Sequence, residues 1–238
     1  MTQAKNSKNG TLMKFSSRTD MGQKGFNQDA LALPPQDYNQ QKLGVCLVVA
    51  DGISQCPKGG EIAQNAVKVV KEYYHMAEQT SPGENALNDA LEKIWMDFFI
   101  KVAQDNDDDY LMSGTTLTLV LIFEGKLYLR HLGDSHCDIF YPDGSTNRIT
   151  EEHNCVDGYL LNYFGGELQT SAQEETIDFP KGSKVVLSSD GINFFVEPLQ
   201  MVQLAEEYGW GSEKMIDEMF KLSLESGSND DKTVVMGY

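Results

Sequence analysis

Short β-type runs open the chain: "LMKFSSRTDMG" and "NQDALAL" predict a strand, a turn and a second strand, and "DYNQQKLG" predicts a linking turn. The run 44–50 is continuously apolar and too short for a globular helix, so a buried strand ending at Asp51 is expected. After Gly59-Gly60 the period becomes helical. Ile62, Ala66, Val69 or Val70, and Tyr73 recur on one face; Leu87, Leu91, Ile94, Phe98 and Val102 do so behind the start signal Ser81-Pro82-Gly83. Two amphipathic helices joined by a short connection are predicted, the second ended by the acidic run Asp105 to Asp109. From Thr115 the period is two. "TTLTLVLIF", "KLYLRHL", "HCDIFYP" and "STNRIT", with tight turns at Glu124-Gly125 and Asp143-Gly144, predict a meander; 174–179 and 183–189 predict a further hairpin around Lys181-Gly182. Helices at 197–208 and 212–226 and a strand at 232–237 follow. Helices in pairs and strands in runs, without alternating βαβ units, predict an α+β fold of packed antiparallel sheets.

Composition narrows the partners. The 238 residues are 40% hydrophobic, enough to bury a core, and one domain over 12–238 is expected behind a polar, mobile head at 1–11. With 19 basic against 36 acidic residues, the formal charge of −17 argues against nucleic acid or an anionic membrane, which need a positive face. A basic protein or a cation suits it better. Cys46, Cys56, Cys137 and Cys155 lack C-x-x-C spacing and read as reduced thiols; no apolar run reaches the ~20 residues of a membrane span. A cytoplasmic monomer is expected.

The candidate chemistry is carried by carboxylates at the ends of apolar runs. Asp51-Gly52, Gly133-Asp134-Ser135, Ser189-Asp190-Gly191 and Asp230-Asp231 each stand where a rigid sheet can aim an oxygen at a shared centre. Taken singly, such residues are more often turn formers or helix caps. Oxygen ligands without a His or Cys cluster suit hard octahedral ions rather than zinc. Two such ions can generate a hydroxide at neutral pH and clamp an in-line displacement at phosphorus. Gly114, Thr115 and Thr116 read as structural, His131 and His153 as satisfied packing histidines, and Tyr73-Tyr74 with Trp95-Phe98-Phe99 as core.

In order, "TDMGQKGFNQDA", "VVADGISQCPKGGEIA", "SGTTLTLVLI", "LYLRHLGDSHCDIF", "KVVLSSDGI" and "NDDKTVV" resemble the metal-dependent Ser/Thr protein phosphatases of type 2C, the PPM family, from about Thr19 to Val235. The resemblance implies a four-layer α-β-β-α sandwich and two Mn²⁺ or Mg²⁺ ions at one edge. By the same resemblance Asp51 bridges both metals, the Gly52 carbonyl holds the second, Asp190 and Asp230 hold the first, and Asp29 acts through a bound water. Asp134 joins Asp190 around a third, weaker ion seen in many members. The implied reaction is hydrolysis of phosphoserine or phosphothreonine in a protein by direct attack of a metal-bound water, opposing a Ser/Thr kinase. The alternative is a catalytically weak pseudophosphatase that binds a partner.

The departures are specific. Many members grip phosphate with an Arg before the Asn-Gln/Glu-Asp motif; here the segment is "GQKGF", which makes Lys24 the nearest cation and Arg18 the only upstream Arg. Position 28 is Gln where some members have a metal-supporting Glu, and Ile53-Ser54 stand where animal members carry a His. The short connection between "ITEEHN" and "LLNYFGGE" implies a more open cleft.

Overall fold

The computed structural model describes residues 12–105, 108–155, 157, 159–166 and 171–238. The head 1–11 and parts of the acidic run and of the "ITEEHN"–"LLNYFGGE" connection lie outside the described residues. In chain order the strands are β1 (Phe15–Asp20), β2 (Asp29–Ala32), β3 (Val45–Asp51), β4 (Gly114–Thr115), β5 (Leu117–Phe123), β6 (Lys126–Leu132), β7 (His136–Phe140), β8 (Thr146–Arg148), β9 (Phe164–Gly165), β10 (Gln173–Asp178), β11 (Lys184–Ser188) and β12 (Lys232–Gly237). The helices are α1 (Gln40–Leu43), α2 (Gly59–Ala66), α3 (Val69–Gln79), α4 (Glu84–Asp105), α5 (Asp108–Leu111), α6 (Asp190–Asn193), α7 (Pro198–Tyr208) and α8 (Glu213–Glu225).

Two five-stranded antiparallel sheets form, ordered β1-β12-β11-β7-β8 and β10-β6-β5-β3-β2, and β4 pairs with β9. Side chains alternate across a strand, so β3 feeds two cores at once. Val45, Leu47 and Val49 meet Cys137, Ile139, Val185, Leu187 and Val235 of the opposite sheet. Cys46, Val48 and Ala50 point the other way, into the layer that holds Ile62, Tyr73, Leu87 and Phe98 of α2–α4. Burial on both faces is why the run reads as continuously apolar. On the far side, Val186, Val234 and Met236 pack under Met201, Met215 and Met219 of α7 and α8. The expected four layers are therefore present, with Tyr73, Tyr74, Trp95 and Phe98 buried in them. The four cysteines are free.

Four local expectations are corrected. The linking turn "DYNQQKLG" contains α1, started by Asn39, whose side chain accepts from the Lys42 amide at 3.1 Å. The predicted helix through 62–73 is two helices: at Val67-Lys68 the chain tightens, the Lys68 amide bonding the Asn65 carbonyl at 3.2 Å and the Val70 amide the Val67 carbonyl at 3.3 Å. Strands 174–179 and 183–189 form no hairpin: β10 pairs with β6, whereas β11 pairs with β12 and β7 in the other sheet. Likewise the meander changes sheets at Gly133-Asp134-Ser135, between β6 and β7. Among the described residues no helix is long and apolar enough to cross a membrane.

Candidate active site

Antiparallel pairing sends every acidic motif to one rim. β3 ends at Asp51 where its partner β2 begins at Asp29, and the two residues stand directly opposite in register. β6 runs parallel to β3 through β5, so its end delivers Gly133 and Asp134 to the same side. In the second sheet β7 starts, β11 ends and β12 starts there, adding Asp134, Asp190 and Asp230.

The backbone at this rim is tied down. The Asp51 amide donates to Thr116 Oγ1 at 2.9 Å, the Thr116 amide donates to the Asp51 carbonyl at 2.8 Å, and Thr116 Oγ1 and Ser135 Oγ share a hydrogen bond of 2.9 Å. Gly133 adopts φ +109°, a conformation open to glycine. Its carbonyl accepts from the His153 amide at 2.9 Å and lies 3.0 Å from His131 Nε2, while its amide donates to His153 Nδ1 at 3.0 Å. His131 also contacts Thr118 Oγ1, and burial lowers its pKa to about 3, so it stays neutral. Both histidines thus do the packing work read from the sequence. At Gly191 any Cβ would lie 1.9 Å from the Asp231 carbonyl oxygen, which is why Asp190 is followed by glycine.

The carboxylates divide into anchored and unspent ones. Asp231 places its two oxygens on the Gly22 and Gln28 amides at 2.8 and 2.7 Å, which fixes the loop before β2. That leaves its neighbour Asp230 turned to the rim. Asp29 accepts one hydrogen bond, from Ser189 Oγ at 2.8 Å, and its Oδ1 is buried without a partner; Asp190 Oδ1 is in the same state. Burial, then the charges of Asp29 and Asp190, push the Asp51 carboxyl well above its usual range. Burial and the charge of Asp230 raise Asp190, and burial raises Asp29 and Asp134. Such crowding of like charges is unfavourable until a proton or a cation intervenes. Among the described residues no three His, Cys, Asp or Glu side chains are close enough to enclose an ion as they stand. Yet the unpartnered, buried Asp29 and Asp190 oxygens and the all-oxygen donor set fit Mn²⁺ or Mg²⁺.

Lys24 lies on this rim: its ammonium donates to Asp230 Oδ1 and to Ser54 Oγ. Burial opposes its charge, but Asp230, Asp51 and Asp190 outweigh that and raise its pKa. Arg18 is elsewhere, paired with Asp20 and, at 2.6 Å, with Asp217 of α8, its guanidinium 4.6 Å from the Phe220 ring centre. The sequence assigns no role to Asn154 or Asn193, and none to Ser189 beyond its place in the Ser189-Asp190-Gly191 motif. Asn154 donates to Asp134 Oδ2 at 3.2 Å and Asn193 to the Asp134 carbonyl at 3.2 Å. Asn154 and Asn193 stand apart from the acidic motifs, so only the fold reveals them.

The family model for protein phosphatase 2C matches residues 18–231. Comparison with curated proteins returns no match. Among solved structures, the Mycobacterium tuberculosis serine/threonine phosphatase PstP/Ppp superposes with a TM-score of 0.76 at 21% identity, over 95% of this chain and 98% of that one. The PstP catalytic domain solved with two manganese ions gives a TM-score of 0.75 at 21% identity over 95% and 97%. PppA of Pseudomonas aeruginosa gives 0.73 at 17% over 96% and 98%. These likenesses carry the fold; the family model, spanning most of the chain, carries membership. The chain belongs to the protein phosphatase 2C family.

Proposed function

We propose that residues 12–238 act as one domain that hydrolyses phosphoserine or phosphothreonine in proteins with two Mn²⁺ or Mg²⁺ ions. The observation behind this reading is the gathering on one rim of Asp29 and Asp190, each with a buried oxygen that has no partner, and of Asp51, whose carboxyl burial and its acidic neighbours push well above the usual range. Asp51 and the Gly52 carbonyl, Asp190 and Asp230 would hold the pair of ions, with Asp134 around a third. Ions held there supply Lewis-acid polarisation of the phosphoryl group and acidify water. Lys24 exchanges Asp230 for the substrate phosphate and orients it. Asp29, fixed by Ser189, holds a proton acceptor at a set place on the rim. The competing reading, a partner-binding module without turnover, draws on the Lys24–Asp230 pair, which occupies both groups.

The test is phosphate release from a phosphothreonine peptide with Mn²⁺, with Mg²⁺ and with chelator. Release only with metal is expected. Stability should follow the same logic: carboxyls with raised pKa favour the folded state when protonated, and that stability is lost as pH rises through the raised values. A bound cation restores it at neutral pH. Metal at about 100 times its Kd should add roughly 2.7 kcal/mol and about 5–10 °C to Tm. No metal-dependent release together with an unmoved Tm would end this reading.

Lys24→Ala should raise KM about tenfold with a smaller loss in kcat, and Lys24→Arg should keep or improve KM because the guanidinium fork matches phosphate. Arg18→Ala is the control, since its guanidinium is paired with Asp20 of β1 and Asp217 of α8 rather than with the rim carboxylates. If Arg18→Ala raises KM and Lys24→Ala does not, the grip has been assigned to the wrong residue.

A further inference from the structure

Beside the carboxylate rim lies a cleft of about 370 Å³, within the ~300–1,000 Å³ of ligand clefts. Lys24, Asp190 and Asp230 of the rim line it together with Phe194, Phe195 and Asn229. Phe194 is 50% exposed although it follows directly on α6, whose other residues are mostly buried. A single exposed apolar residue is ordinary on a protein surface; what sets Phe194 apart is that it lines the same cleft as Phe195, Lys24, Asp190 and Asp230. The Phe194 backbone amide donates to the Asp190 carbonyl at 3.4 Å, and its ring stands T-shaped to the His136 ring, centroids 6.1 Å apart at 74°, which gives one side of it a contact. His136 is in turn fixed on Glu152 at 3.0 Å.

We infer that this cleft is a substrate subsite that takes an apolar side chain adjacent to the phosphoresidue, with Phe194 as its specificity-determining wall. The inference rests on the phosphatase reading for the position of the phosphoryl group. Within the cleft the carboxylates are engaged with the metal centre and Lys24 with phosphate, so what remains for a neighbouring residue is the two phenylalanine rings and the neutral Gln23, Gly191, Ser228 and Asn229. A ring half in water gains by being covered, and the preset orientation keeps the entropic cost of covering it small. An acidic neighbour would have to place a charge against the two rings, on a protein of net charge −17.

The experiment uses phosphothreonine peptides identical except that one flanking residue, on each side in turn, is Leu, Ala or Asp. Wild-type protein with Mn²⁺ should turn over the Leu peptide with kcat/KM roughly tenfold above the Ala peptide on one side, the scale expected of an apolar subsite, and the Asp peptide below both. Phe194→Ala should bring Leu and Ala together, Phe194→Leu should restore part of the preference, and Leu199→Ala, an exposed apolar side chain of α7 outside the cleft, should keep it. Equal rates for Leu and Ala on both sides in wild type, or a preference that survives Phe194→Ala, would overturn the subsite. Should no peptide release phosphate, the phosphatase reading fails. The subsite is then decided by fluorescence anisotropy of the same labelled peptides, where a Leu preference lost in Phe194→Ala sustains it and no preference sinks it.

Discussion

Asp51→Asn is expected to lower phosphate release on the order of a thousandfold or more while the protein becomes slightly more stable without metal. The two effects have one cause. The carboxyl of Asp51 feels burial and the charges of Asp29, Asp190 and Asp134 together, so removing its charge relieves the apo rim and deprives the centre of its shared ligand. Asn is isosteric, and the Asp51 backbone is held from both sides by Thr116, so the strand end should keep its place. The metal-free Tm should therefore stay level or rise by a few degrees, while the rise produced by Mn²⁺ shrinks. Asp190→Asn and Asp230→Asn should follow closely, Asp134→Ala more mildly, and the losses should not add because the residues serve one centre. Turnover near wild type in Asp51→Asn would remove Asp51 from the centre. A metal-free Tm far below wild type would mean that the substitution broke the rim, not the chemistry.

Most of this rim is legible in the sequence because each carboxylate ends an apolar run, and a strand end has only one rim to reach. β3 could be read from length alone, since a seven-residue strand buried on both faces leaves no alternation to find. Sheet membership was not legible. Alternation identifies a strand and its two faces but says nothing about the partner, and the partners of β10 and β11 lie tens of residues away. The turn signal at Lys181-Gly182 is genuine as a turn; it connects two sheets rather than two neighbours. The break between α2 and α3 left one trace, the uncertain phase at Val69 and Val70, both of which are buried. No Gly or Pro marks it, so packing against β2 and β3 decides the direction of each helix. Within the site, Asp51, Asp134, Asp190 and Asp230 were legible as motif residues, and Lys24 as the nearest cation. Phe194 was not, because a phenylalanine in an apolar stretch reads as core and only its exposure separates it from Phe195.

The largest effect on stability is expected from Arg148→Ala, and it bears on the site through the sheet. Asp138 is fully buried in β7, on the face covered by α6–α8, and its carboxylate is held by Arg148 of β8 at 3.0 Å from Nε and 3.3 Å from the guanidinium terminus. Asp138 and Arg148 are register partners, so the pair also pins the edge strand β8 to β7. Removing the guanidinium leaves a buried charge with no other hydrogen bond among the described residues, a loss of about 3–5 kcal/mol when a buried pair is broken from one side. The Arg148 side chain is 31% exposed, so water entering its place puts the expected cost at the lower end. For a chain of this length that is a fall in Tm on the order of 10 °C. Replacing both partners, Asp138→Leu with Arg148→Met, should recover much of it, because no charge is then stranded. β7 begins immediately after Asp134 and pairs with β11, which ends before Asp190. A loosened β7 should therefore weaken metal binding even though neither partner touches the rim: the metal concentration that half-restores Tm should rise in Arg148→Ala and return toward wild type in the double variant. Chemical denaturation with and without Mn²⁺ measures both quantities. An Arg148→Ala protein within about 0.5 kcal/mol of wild type, the range of an ordinary surface change, would show that water serves Asp138 as well as the guanidinium does.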